Sequence, residues 1–235
     1  YAHATRGVFP DDLGSAYLPN VFRLQAVMTE EEEYHTSLLA ITELLKYGTT
    51  TFLDPGSTKY LDRCMDAYKQ AGCRIIVGSH VTDKANPLNL PVSSTADALQ
   101  TVEETIQRFD RKLDGRIRAW AMPFAPNLCT DELLLECKRL ADHYDTGLTI
   151  HYNNSLDYVE SSIMESGLRP TQYLEKLGIL GENVTLSHML GLDESEITVL
   201  SETRTRGVVV PTAAVKGGAG MTQSGLLPEM LDSGM

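Results

Sequence analysis

Thr149-Ile150-His151-Tyr152-Asn153-Asn154 and Thr185-Leu186-Ser187-His188 are the two stretches on which the fold turns. Each is a short apolar run that closes on a histidine. Parallel strands of one barrel end on the same face, so these two imidazoles are expected on a single rim. That rim, at the C-terminal ends of the strands, is where barrel enzymes carry their chemistry.

The unit repeats on both sides of these stretches. Thr29 with Glu32 three residues on forms a capping box, and Glu30 to Glu33 reads as a solvated first turn at the positive helix end. This helix carries Leu38, Leu39, Ile41, Leu44 and Leu45 on one broad face and closes at Gly48. A strand over 49–53 follows, with Asp54-Pro55-Gly56-Ser57 as its exit turn. A helix over 58–71 closes at Gly72 before a strand over 74–78. Helices over 95–112 and 130–145 precede strands over 117–122 and 148–151. Helical pieces between 156 and 178 lead to a strand over 184–188. Asp193 with Glu196 opens the next helix, and 208–210 is the last strand. Residues 1–28 read as mostly irregular.

Six copies of helix, glycine, apolar strand and polar loop predict an α/β fold. Continuous apolar strands require a parallel sheet covered on both faces, and alternating helices supply right-handed crossovers. A barrel and an open doubly wound sheet both accommodate this order. No phosphate-cradling glycine motif follows an early strand, which counts against a nucleotide-binding open sheet. Lys216-Gly217-Gly218-Ala219-Gly220 has its lysine ahead of the glycines, the wrong order for a P-loop, and reads as a rim loop. Six units are two short of a closed eight-stranded barrel.

Composition narrows the function class. The 235 residues carry a formal charge of −12, with 42% hydrophobic and 22% charged residues. That balance is ordinary for a soluble globular domain and argues against nucleic acid or an anionic membrane as partner. No apolar run approaches the length of a membrane span, and no signal peptide is evident. Cys64, Cys73, Cys129 and Cys137 form no CxxC pair, which favours reduced thiols and a cytoplasmic location over a disulfide framework.

Among six histidines, His35 and His143 fall in helices beside charged neighbours and read as surface residues. His3 lies in the opening loop. His80, His151 and His188 all fall at strand ends, a pattern expected of a site more than of isolated core residues. Imidazole is the commonest protein ligand of zinc, and a catalytic metal takes about three protein ligands and one open position. Water on such a metal ionises near neutral pH and becomes a nucleophile. Asp54, ahead of Pro-Gly, reads as a turn former. Asn153-Asn154 fits a turn and fits an amide pair that binds substrate.

The segments Thr5-Arg6-Gly7, Leu38 to Phe52, His151, Leu186 to Asp193, Lys216 to Gly220 and Leu227 to Gly234 resemble the amidohydrolase superfamily. The resemblance is to its branch of cytosine and guanine deaminases, S-adenosylhomocysteine deaminases and triazine hydrolases. It covers essentially the whole chain, and the Leu-rich helix into Gly48-Thr49-Thr50-Thr51 is its most specific part. It implies a (β/α)8 barrel over a single domain, residues 1–235, and one divalent metal, zinc or iron. It also implies hydrolysis at a ring or amide carbon of a nitrogen heterocycle. By position, His151 is the fifth-strand metal ligand and His188 the sixth-strand histidine that orients the attacking water. His80 has no assigned role in the family pattern; by their strand-end positions it and Asn154 are candidate substrate contacts.

This sequence departs from the family pattern in defined places. The first-strand His-x-His pair and the eighth-strand aspartate fall outside it, so the chain is expected to be cut at both ends and to hold strands two to seven. Asn154 stands where the family has a proton-shuttling glutamate, and an amide cannot take that role. Val209-Val210-Pro211 replaces His-Cys-Pro, and Ala213-Ala214 replaces Ser-Asn. The rival expectation is a catalytically inactive barrel-derived scaffold that binds a small molecule or partner chain. It would cover its open sheet edges as a homo-oligomer. A metal-independent barrel lyase is a third class, and it lacks the strand-end lysine or carboxylate pair it would need.

Overall fold

The computed structural model describes residues 6–10, 16–219 and 226–235. Its strands are β1 (Thr51–Leu53), β2 (Arg74–Val77), β3 (His80–Val81), β4 (Ile117–Ala119), β5 (Met122–Pro123), β6 (Leu148–Tyr152), β7 (Val184–His188) and β8 (Arg206–Val209). All named pairings are parallel: β1–β2–β4, β3–β5 and β6–β7–β8. Two of the strands expected from sequence are thus interrupted, at Gly78-Ser79 and Trp120-Ala121. The halves share neighbours, and Ala121 bridges Leu148, with Thr149 N donating to Ala121 O and His151 N to Phe124 O. The result is parallel pairing in which, with β2/β3 and β4/β5 each taken as one interrupted strand, each strand neighbours the next in sequence. Sequential winding with helical crossovers is the barrel order, whereas a doubly wound sheet reverses direction part-way.

Helices cover the outer side of this sheet. They are α1 (Tyr17–Val27), α2 (Glu30–Lys46), α3 (Leu61–Ala71), α4 (Thr95–Phe109), the short turn α5 (Lys112–Gly115) and α6 (Asp131–His143). Then follow α7 (Leu156–Ser166), α8 (Pro170–Lys176), α9 (Glu194–Glu202), α10 (Pro211–Lys216) and α11 (Leu227–Asp232). Alternate strand residues face them. Phe52, Ile75, Val77, Ile117 and Ala119 pack with Ile41, Cys64, Ala67 and Tyr68. Leu148, Ile150, Val184 and Leu186 pack with Val102, Leu133, Leu174 and Leu200. Period-two burial of this kind directs the other strand positions, His151 among them, to the barrel interior.

Interior packing dictates one glycine. A Cβ on Gly147 would lie 2.4 Å from the Trp120 ring, so only glycine admits the indole there. The four cysteines are buried and unpaired, as their spacing suggested. Among the described residues, no helix is long and apolar enough to cross a membrane.

Several expectations need correction. The stretch read as irregular contains α1, whose Val21, Phe22 and Gln25 are buried at helical spacing. Leu39 and Leu45 of α2 are exposed, so its apolar face is narrower than the sequence implied. The capping box at Thr29 is present, but the acidic run is not all solvated. Glu33 is 1% exposed, and its carboxylate accepts Lys59 N at 3.1 Å and Tyr60 N at 2.6 Å, just ahead of α3. A carboxylate there satisfies the backbone N–H of the N-cap residue Tyr60 and of Lys59 before it, at the positive end of α3. Lys216 ends α10 and Gly217-Gly218 form the turn that follows it, so the expected loop begins only after the lysine; Gly220 lies outside the described residues. His3, Thr5 and Asp11 to Gly14 also lie outside them; Arg6 pairs with Glu43 on α2 at 2.7 Å.

Candidate active site

The barrel order brings three of the six histidines together. His151 lies on β6 and His188 at the end of β7, where Tyr152 and His188 are register partners. Their ring centroids are 5.8 Å apart. His80 opens β3, pairs in register with Met122, and packs edge-on against Phe124 at 5.4 Å. Phe124 is also the neighbour of His151, stacked at 4.5 Å with 15° between the planes. Phe22 of α1 closes the group, edge-on to both His80 and Phe124. His35 and His143 are exposed on helices, as expected.

Sequence reasoning missed Phe124 and Phe22. Phe124 follows the β5 half-strand, and its contacts are made across the sheet, where no periodicity reports them. Phe22 was hidden by the irregular reading of α1.

Each imidazole is held in its neutral form. Burial pushes the His151 pKa down to about 4, with the neighbouring His188 acting in the same sense and the Phe124 hydrogen bond opposing. Burial also lowers His188. It lowers His80 too, against the charge of Asp54. Neutral imidazole is the metal-ligating form. His151 Nδ1 lies 3.1 Å from Phe124 O. A carbonyl only accepts, so Nδ1 carries the proton and Nε2 keeps its lone pair. This is the orientation that ligating histidines show, with the second nitrogen tied to a carbonyl or carboxylate.

Asp54 serves its turn. Its Oδ1 accepts Gly56 N and Ser57 N at 3.0 Å, and Oδ2 accepts Thr58 Oγ1 at 2.5 Å. Gly56 has φ +85°, and a Cβ there would lie 2.6 Å from His80 N. The turn therefore sits directly against the His80 backbone and delivers the aspartate's charge to it.

The two asparagines part company. Asn154 is exposed at the start of the loop after β6. Asn153 is fully buried with φ +44°, and neither polar atom of its side chain has a hydrogen-bond partner.

The donor set fits a metal in kind and in part. Two neighbouring neutral imidazoles, one with its tautomer fixed, are nitrogen donors suited to zinc or iron. Among the described residues no group of three His, Cys, Asp or Glu side chains is placed to hold an ion. The described residues thus bring together fewer ligands than the roughly three a catalytic metal takes.

The sequence profile of the amidohydrolase family matches residues 3–224. This chain belongs to the amidohydrolase family. The 5-methylthioadenosine/S-adenosylhomocysteine deaminase of Syntrophobacter fumaroxidans is 30% identical over 216 residues, 92% of this chain and 47% of that protein. The 5'-deoxyadenosine deaminase of Methanopyrus kandleri is 32% identical over 200 residues, 84% of this chain and 43% of that protein. Among solved structures, a mutant of atrazine chlorohydrolase TrzN from Arthrobacter aurescens TC1, complexed with zinc and atraton, superposes with TM-score 0.83. It is 19% identical, over 96% of this chain and 53% of that one. An adenosine deaminase from Xanthomonas campestris with bound zinc gives TM-score 0.78 at 25% identity, over 96% and 50% of the two chains. The family and these neighbours give the fold as TIM-barrel type. The chain spans about half the length of the curated relatives it matches.

Proposed function

We propose that this amidohydrolase chain forms part of a metal-dependent hydrolase that cleaves a C–N or similar bond at a carbon of a nitrogen heterocycle. The observation that carries the reading is the gathering of His151 and His188, near the C-terminal ends of the paired strands β6 and β7, with His80 of the short β3 joined to them through Phe124. The His151 tautomer is set by Phe124 O. On this reading the described strands, with β2/β3 and β4/β5 each counted once, are strands two to seven of the barrel.

His151 would hold such an ion through Nε2, and His188 would orient the water beside it. A zinc-type cation supplies the Lewis acidity that makes water nucleophilic near neutral pH. His80 and the exposed Asn154 face the substrate side, where an imidazole and an amide can hydrogen-bond ring nitrogens. Asn154 cannot shuttle a proton as a carboxylate can. Substrates whose leaving group needs little protonation are therefore favoured over those that need a strong general acid. The relatives' names, adenosine-type deaminases and a chlorotriazine hydrolase, fit amino and chloro leaving groups respectively.

The test uses protein made from the complete reading frame. Bound metal is quantified, then ammonia and chloride release are followed on aminopurine nucleosides and chlorotriazines. Turnover that a chelator abolishes and added zinc restores is expected. A metal-loaded protein that releases neither product from either class sinks the reading.

A further inference from the structure

His188 is held in a backbone conformation that a β-branched-rich strand end does not choose by itself. Its φ is +90°, Met189 follows at +58° and Gly191 at +66°. Two non-glycine residues in this region are strained and persist only where the surroundings over-determine them. The loop from Met189 to Asp193 is so determined, by an ion pair placed behind it.

Arg169, the residue that caps α8, donates from Nη2 to Gly191 O at 2.6 Å. The same guanidinium reaches Glu196 Oε2 at 2.7 Å from Nη2 and at 2.8 Å from Nε. It also meets Asp193 Oδ2 at 2.9 Å. Glu196 is 1% exposed and spends its remaining acceptor capacity on Thr171 N and Asp193 N, each at 3.2 Å. Thr171 Oγ1 is in turn hydrogen-bonded to the Tyr152 hydroxyl. Tyr152 neighbours His151 on β6 and is the register partner of His188. On the loop's other side, Leu190 N donates to Asn153 O at 2.9 Å. One buried carboxylate therefore ties together the loop that carries His188 and the strand that carries His151.

We propose that Arg169 and Glu196 are positioning residues that set the His188 imidazole against His151. The proposal gives a buried ion pair a role beyond stability, which buried pairs by themselves seldom supply. Its relevance to catalysis rests on the hydrolase reading above. The pair itself touches neither histidine; it acts through Gly191 O and through Thr171 and Tyr152. Removing the guanidinium frees Gly191 O and leaves the loop held by Leu190 N at one end and by the Asp193–Glu196 capping box at the other.

The experiment compares the full-length parent with Arg169→Met and Arg169→Lys by amide hydrogen exchange and by the nuclear Overhauser contact between the His151 and His188 rings. Neither readout requires metal or turnover, so a failure of the hydrolase reading leaves this test intact. In Arg169→Met, exchange at Leu190 is expected to rise at least about tenfold, equivalent to about 1.4 kcal/mol, while Ile150 on β6 is unchanged. The ring contact weakens in parallel. Arg169→Lys, which donates to Gly191 O or to Glu196 but not to both in the same geometry, recovers part of the protection. Leu190 exchange equal to the parent's overturns the proposal. So does a rise shared equally by Ile150, which would mean that the variant only lowers global stability. A Leu190 rise with the ring contact intact overturns it as well, because the loop would then not set the imidazole.

Discussion

The His151 imidazole lies flat on the Phe124 ring, centroids 4.5 Å apart, while its Nδ1 donates to the carbonyl oxygen of that same residue. One residue thus fixes both the plane and the tautomer of the histidine, its ring doing the first and its backbone the second. The hydrogen bond survives any side-chain substitution at 124, and the stack does not.

This separation makes Phe124→Ala informative. Phe124 is 7% exposed and packs with Phe22, Leu90, Ala125 and Leu128. Truncating a buried phenylalanine costs about 3–5 kcal/mol through lost transfer energy and the cavity left behind. Phe124→Leu should cost less than half as much, because it keeps most of the apolar volume. Urea denaturation checks both. A cost below about 1 kcal/mol for the alanine variant would show that the cluster collapses onto the space and that Phe124 does not hold His151.

His151→Ala removes the nitrogen whose lone pair the Phe124 carbonyl leaves free. In protein from the complete reading frame, bound metal should fall at least about tenfold, the lower end of what disturbed ligation costs. Metal content after dialysis against a weak chelator is the measurement. Stoichiometric metal in the variant would remove His151 from the ligand set, whatever the fate of activity.

The sequence exposed some of this arrangement and hid the rest for physical reasons. Glycines 48, 72 and 147 marked the helix-to-strand joins, and short apolar runs marked the buried strands. A histidine closing such a run lies at the rim by the geometry of parallel strands, so the convergence of His80, His151 and His188 was legible. The choice of barrel over doubly wound sheet was not legible in the periodicity and came only from the family resemblance. It depends on which strand neighbours which, as in the Ala121–Leu148 bridge, and strand order leaves no local trace. Phe124 was invisible for the same reason, since its partners come from α1, β3 and β6. Arg169 and Glu196, 27 positions apart, showed only in part: Glu196 was read as half of a capping box with Asp193, which it is, without its burial or its arginine.

Glu33 is a second carboxylate whose burial the sequence concealed, because its partners are the backbone N–H groups of Lys59 and Tyr60. Glu33→Ala leaves both donors short of a partner in a half-buried place. Unsatisfied groups of this kind cost about 1–3 kcal/mol. Glu33→Gln keeps one acceptor oxygen and should cost roughly half as much. Thermal unfolding of the two variants beside Glu30→Ala, an exposed neighbour on the same turn, separates the roles. Equal effects at positions 30 and 33 would return Glu33 to the solvated first turn that the run suggested.

The neutral imidazoles impose a pH dependence of defined sign. The His151 pKa is about 4 in the fold, against about 6.5 in an unfolded chain. A depressed histidine pKa means that the unfolded chain takes up its proton first as pH falls. Stability is then complete above about pH 6.5, declines as pH drops through the interval, and has lost this contribution once pH passes below about 4. The size is on the order of 3 kcal/mol at most. Burial lowers His80 and His188 as well, so both act in the same direction. Metal-free protein should therefore show a falling urea midpoint between pH 7 and pH 4.5. His151→Asn retains a side-chain donor for Phe124 O but has no proton to gain, and its midpoint should fall less over the same range. Carboxylate protonation lowers both proteins alike and cancels in the comparison. Parallel pH profiles for parent and variant would show that His151 is not held neutral by the fold, and the metal-ready state inferred for it would go with that result.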